Sequence, residues 1–88
     1  MSVKILIADD EFQAREGLAA ILARNPQEWT VAGEASNGQE AVEKAILHRP
    51  DILITDIRMP GLSGIEVLHR LKEALPQLVV ILLTGFSE

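Results

Sequence analysis

Carboxylates dominate the residues able to do chemistry in this chain. Asp9-Asp10-Glu11 follows one apolar run, and Asp56 follows another. Thr84-Gly85 follows a third, the LVVILL stretch at 78–83. Carboxylates brought to one place repel, which raises at least one pKa unless a cation neutralises them. Oxygen-only donors that leave room for water suit Mg²⁺ or Mn²⁺. A carboxylate beside such an ion can attack a phosphoryl group and become an acyl phosphate. The ion offsets negative charge on the transferring oxygens. Asp56 is the candidate nucleophile, and Asp9 and Asp10 with Asp56 are the candidate metal ligands. Thr84 can donate its hydroxyl to the same phosphoryl group, and Gly85 leaves its backbone N–H accessible. Each residue alone has a plainer reading. An Asp before a helix is a common N-cap, and a Thr at a strand end is usually a turn residue. His48 and His69 fall in helical stretches away from these ends and read as surface residues. The four polar residues at three apolar-run ends, taken together, carry the site reading.

The elements that must position these residues alternate in period. Val3–Ala8 is short, apolar and rich in β-branched residues, which predicts a buried strand. Residues 12–24 carry apolar positions at 14, 18, 21 and 22, a helical spacing that Asn25-Pro26 stops. Trp29–Ala35 is a weaker strand, thinned by Gly33 and suited to a place near a sheet edge. Ser36-Asn37-Gly38 is a turn and cap signal, followed by a helix over 39–48. Glu40 and Lys44 form an i,i+4 pair on its wet side. Residues 52–55 predict a third strand, 57–63 a loop with Pro60 and Gly61, and 64–75 a helix ended by Pro76. Residues 78–83 predict the fourth strand. The order βαβαβαβ demands parallel strands joined by right-handed crossovers, an open doubly wound α/β sheet. In such a sheet, ligands sit beyond the C-terminal strand ends near the switch in strand order. If the first and third strands are neighbours, Asp9, Asp10 and Asp56 converge there.

Composition narrows the class. The 88 residues suffice for one domain. Hydrophobic residues are 48% of the chain, against the pattern of disorder. Thirteen acids against 8 Lys plus Arg give a net charge of −5, which argues against a stand-alone nucleic-acid-binding module. There is no cysteine, so disulfides, zinc thiolates and iron–sulfur clusters are excluded. The run at 78–83 is far short of a membrane span, and the early acids do not fit a signal peptide. A cytoplasmic domain is the expectation.

Three pieces, ILIADDE at 5–11, DILITDIRMPGLSG at 51–64 and VVILLTGFSE at 79–88, resemble the receiver domain of bacterial two-component response regulators. The resemblance implies a flavodoxin-like sheet of order 2-1-3-4-5, here 2-1-3-4. It implies that Asp56 accepts a phosphoryl group from a phosphohistidine on a sensor histidine kinase. It implies Mg²⁺ held directly by Asp10, Asp56 and the backbone carbonyl of Arg58, with Asp9 acting through water. Thr84 takes the part of the switch hydroxyl. Met59-Pro60 and Gly64 shape the loop after the third strand, where Ser63 stands in place of an Asp common in relatives. Ser63 can cap a helix equally well. Such a domain is a phosphoacceptor with at most self-phosphorylation and autodephosphorylation, not a dedicated enzyme. The TGFSE ending is similar to receivers joined to an AraC-type helix-turn-helix output domain, implying transcription regulation by a longer protein. DNA binding would belong to that output domain.

The expectation for residues 1–88 is a partial receiver. The family's fifth strand, with its Lys-Pro pair and switch aromatic, and the last two helices lie beyond this sequence. That leaves residues 78–83 as an apolar edge, expected to self-associate or to dock on another chain. Two other readings compete. A haloacid-dehalogenase-like phosphohydrolase would want an Asp two residues after its nucleophile, where this chain has Arg58. A non-catalytic receiver-like fragment could serve for binding, assembly or as an engineered scaffold.

Overall fold

Apolar runs without polar alternation build the centre of the sheet, and the amphipathic stretches between them cover it. The structure is a computed structural model that describes residues 2–84. The elements are β1 (Val3–Ala8), α1 (Phe12–Leu22), β2 (Trp29–Ala35), α2 (Gly38–His48), β3 (Ile52–Asp56), α3 (Gly64–Ala74) and β4 (Val79–Leu83). The four strands are parallel in the order β2-β1-β3-β4, as the sequence predicts. Chain reversal at β1 puts α1 on one face of the sheet and α2 with α3 on the other.

Side-chain direction alternates along each strand, so two cores form. Leu6, Ala8 and Leu53 point to the α2/α3 face and pack with Ala41, Ala45, Val67 and Leu71. Ile5 and Ile7 point to the α1 face and are also buried. The second core is thinner. No α1 residue is buried, and Phe12 and Ile21 are exposed. β4 reports the same imbalance. Val79, Ile81 and Leu83, on the α1 face, are 53%, 42% and 43% exposed, while Val80 packs against the α2/α3 core. Among the described residues, β4 has a strand neighbour on one side only.

Boundaries differ from the sequence expectation by one or two residues. α1 stops at Leu22 because the following N–H groups of Arg24 and Asn25 donate to Ile21 and Leu22, tightening the last turn. α2 begins one residue early, at Gly38, because the Asn37 side chain caps the Glu40 N–H. β3 runs one residue further because Asp56 pairs with Leu83. α3 stops at Ala74 because Leu75, placed before Pro76, leaves the helical region. The Leu78 N–H donates to the Leu75 carbonyl in the intervening turn, so β4 begins at Val79. Register also slips between Ile5 and Leu6 against β2, leaving Ala32 as an extra residue on that edge strand.

Candidate functional site

β1 and β3 end side by side at the centre of the sheet. The β1–β3 pairing ends at Ala8 and Thr55, so the next residues, Asp9 and Asp56, stand side by side just past it, with Asp56 still paired to Leu83 of β4. Carboxylate oxygens of Asp9, Asp10 and Asp56 all lie within 4.8 Å of one another. Asp9 and Asp56 are half-buried and Asp10 is exposed.

Asp9 is held at three points. Its N–H donates to the Ala35 carbonyl at 3.0 Å. Its carbonyl accepts from Arg15 Nη1 at 2.8 Å, and its Oδ1 accepts from the Glu11 N–H at 2.9 Å. Its pKa is raised above the ordinary aspartate value. Burial is the main cause, and the nearby Asp56 and Asp10 charges and a hydrogen bond with Asp10 add to it. The bond from Glu11 works in the opposite direction.

Asp56 Oδ1 accepts from the Arg58 N–H at 3.3 Å, which turns the chain sharply after β3. Arg58 is exposed in that loop. Gly61 takes a φ of 76°, the left-handed turn that glycine adopts without strain. Gly64 brings α3 back against the strand end. Its N–H donates to the Ile57 carbonyl at 2.8 Å, and a Cβ there would collide with the Asp56 carbonyl. Ser63 and Glu66 form a complete capping box, so Ser63 serves as a helix cap. Thr55, fully buried below the site, places its hydroxyl 3.1 Å from the Asp56 carbonyl and 3.9 Å from Met59 Sδ. The Ile57 N–H reaches across to the Leu83 carbonyl at 3.2 Å. Thr84, exposed, therefore leaves β4 beside the strand end that carries Asp56. Gly85 and the rest of the TGFSE motif lie outside the described residues.

His48 sits beside Gly33 and His69 is exposed on α3, both apart from the acidic cluster. Glu40 and Lys44 make the expected pair, at 3.7 Å. The Ser36 N–H and hydroxyl also donate to Glu40 and hold its carboxyl below the usual range. Sequence reasoning missed Arg15 and Glu34. Arg15 Nε lies 3.1 Å from Glu34 Oε1, and Lys44 Nζ donates to the Glu34 carbonyl at 2.6 Å. The available signal was a lone acid in the otherwise uncharged strand Trp29–Ala35.

The chain belongs to the response regulator receiver domain family, whose profile matches residues 5–88. It is 40% identical over 85 residues to YesN of Bacillus subtilis, an uncharacterized transcriptional regulatory protein. That match covers 97% of this chain and 23% of YesN. Among solved structures, it resembles the response regulator domain of Thermotoga maritima CheB, with a TM-score of 0.91 and 38% identity. That match covers all of this chain and 64% of the other. The receiver domain of AraT, a response regulator from Geobacillus stearothermophilus, gives a TM-score of 0.89 at 40% identity, covering 98% of this chain and 67% of that one. Phosphorelay signalling is thus the setting of the fold. No helix among the described residues is long and apolar enough to cross a membrane.

Proposed function

We propose that Asp56 accepts a phosphoryl group from the phosphohistidine of a sensor histidine kinase. The observation that carries this reading is the set of three carboxylates gathered within 4.8 Å at the C-terminal edge of a receiver sheet. An Asp56 carboxylate oxygen attacks phosphorus, and the P–N bond to the histidine breaks. Its electron pair stays on the imidazole nitrogen, and an acyl phosphate forms on Asp56. Thr84 donates its hydroxyl to the incoming phosphoryl oxygens.

The donor set fits Mg²⁺, with Mn²⁺ as a substitute, because it is all oxygen and crowded with like charge. Asp10, Asp56 and the Arg58 carbonyl would hold the ion, and Asp9 would reach it through water. When bound, it supplies positive charge against the transferring oxygens. Similarity to transcriptional regulators supports an output in transcription, and the TGFSE ending supports an AraC-type DNA-binding partner domain. The domain is cytoplasmic on this reading. The exposed Val79, Ile81 and Leu83 favour a second role for β4, as an edge where residues 78–83 self-associate or dock.

The test is phosphorylation of the chain as its gene encodes it, by a small phosphodonor with and without Mg²⁺. Borohydride trapping and mass spectrometry should place the label on Asp56, only with Mg²⁺, and Asp56→Asn should abolish it. A label on Ser63 or Ser87 would refute the assignment.

A further inference from the structure

Among the described residues, Arg15 is the only basic side chain that bonds to the loop carrying Asp9 and Asp10. Its side chain is 14% exposed, low for an arginine, and its guanidinium lies 5.5 Å from the Phe12 ring centroid. Two separate donors are used. Nη1 takes the Asp9 carbonyl at 2.8 Å, and Nε takes Glu34 Oε1 at 3.1 Å. Glu34 is itself anchored, since Lys44 Nζ holds its carbonyl at 2.6 Å. The β1–α1 loop is thereby tied to β2 and, through Lys44, to α2.

The consequence falls on the carboxylates. Without a cation, Asp9, Asp10 and Asp56 repel one another, and the cheapest relief is for the loop after β1 to swing outward. Asp56 has less freedom, because its strand is paired on both sides. The Asp9 N–H is fixed to Ala35, but that bond leaves the following peptide free to rotate. Arg15 closes that freedom by holding the carbonyl of the peptide that joins Asp9 to Asp10.

We propose that Arg15 is a positioning residue for the acidic site, a two-pronged clamp that holds Asp9 and Asp10 toward Asp56 against their mutual repulsion. The role needs a guanidinium. A lysine ammonium keeps the charge, but it is a point donor on a flexible stem and does not present the two donors in a fixed fork. The proposal deepens the phosphoacceptor reading and rests on it for its purpose, but loop order can be measured without metal.

The experiment compares Arg15→Lys and Glu34→Gln with the unaltered protein by amide hydrogen exchange in metal-free buffer, then by Mg²⁺ titration of amide shifts. The Glu11 N–H, bonded to Asp9 Oδ1, reports the loop, and the α3 amides Val67 and Leu71 report the fold. Arg15→Lys should speed Glu11 exchange about tenfold and weaken Mg²⁺ binding about tenfold, with α3 unchanged. Glu34→Gln keeps a neutral acceptor and should move the same readouts in the same direction by less. It decides the matter if Arg15→Lys does not fold. Glu11 exchange within about twofold of the unaltered protein, or equal acceleration at Glu11 and in α3, overturns the clamp. Absence of Mg²⁺ shifts in the unaltered protein would count against the metal reading alone, and the exchange result would still judge Arg15.

Discussion

Asp9 joins protonation to stability in a direction unusual for a surface acid. Its carboxyl is raised in the folded chain, chiefly by burial and then by the Asp56 and Asp10 charges. The folded state therefore holds its proton to higher pH than the unfolded state does. Its contribution to stability falls as pH rises from the unfolded value through the raised one, and stays low above both. Asp9→Asn removes that penalty. In metal-free buffer at neutral pH, its urea midpoint should lie above that of the unaltered protein, and the gap should close on acidification. Urea titrations at several pH values check this, and a lower midpoint at neutral pH would contradict it. Glu40 has the opposite sign. Its lowered pKa stabilises the fold above the unfolded value, and that stability is lost as pH falls through the folded one. It is partly exposed, so solvent screens much of the effect. At this scale the acids were legible in the sequence because each stands at the end of an apolar run. Arg15 was not. One of its partners is a backbone carbonyl, and the other lies on a strand whose place at the β1 side follows only from the topology.

Elements meet the site through their ends, and the meeting nearest Asp56 is at Gly64. A methyl group there would collide with the Asp56 carbonyl and come within 3.0 Å of Ile57 Cα. Both neighbours are backbone, so neither can turn aside as a flexible side chain would. Gly64→Ala should cost about 1–3 kcal/mol and push α3 away from the strand end. Ser63→Ala, which removes the cap one residue earlier, should cost about 1 kcal/mol without that displacement. Chemical denaturation ranks the two, and Asp56 and Arg58 amide shifts report the displacement. Equal stability and unshifted amides in Gly64→Ala would show that the contact relaxes harmlessly. The sequence made Gly64 legible as a loop-shaping residue through the resemblance, but not its contact, which depends on how closely α3 returns to β3. Element type and order were legible throughout because helical and strand periods do not overlap here. Ends were less so, since they depend on single bonds such as that from Asn37 to the Glu40 N–H.

The described residues cover the two faces of the sheet unequally. Among the described residues, two helices cover one face of the sheet and one covers the other, while β4 combines a side without a strand neighbour with three exposed aliphatic side chains. Nothing on that strand acts as a guard: it has no charge, no proline and no bulge. Ile81→Lys places a charge in the middle of the exposed row while leaving the α2/α3 core untouched. If β4 is where copies or partners meet, light scattering over a concentration series should show association for the unaltered chain and a monomer for Ile81→Lys. Association that is equal in both would place the contact elsewhere. The apolar character of this run was plain in the sequence. Which of its residues face solvent was not, because that depends on α1 lying over β1 and β2 and leaving β4 bare.

β1 precedes β2 and β3 along the chain, yet it lies between them in the sheet. As the chain leaves the ribosome, β1 can pair with β2 once residue 35 has emerged, but its other side stays open until β3 arrives. Asp9 and Asp10 therefore exist for much of synthesis as two ordinary acids at the end of a half-finished ladder. The three-carboxylate cluster is complete only once residues 52–56 dock beside β1.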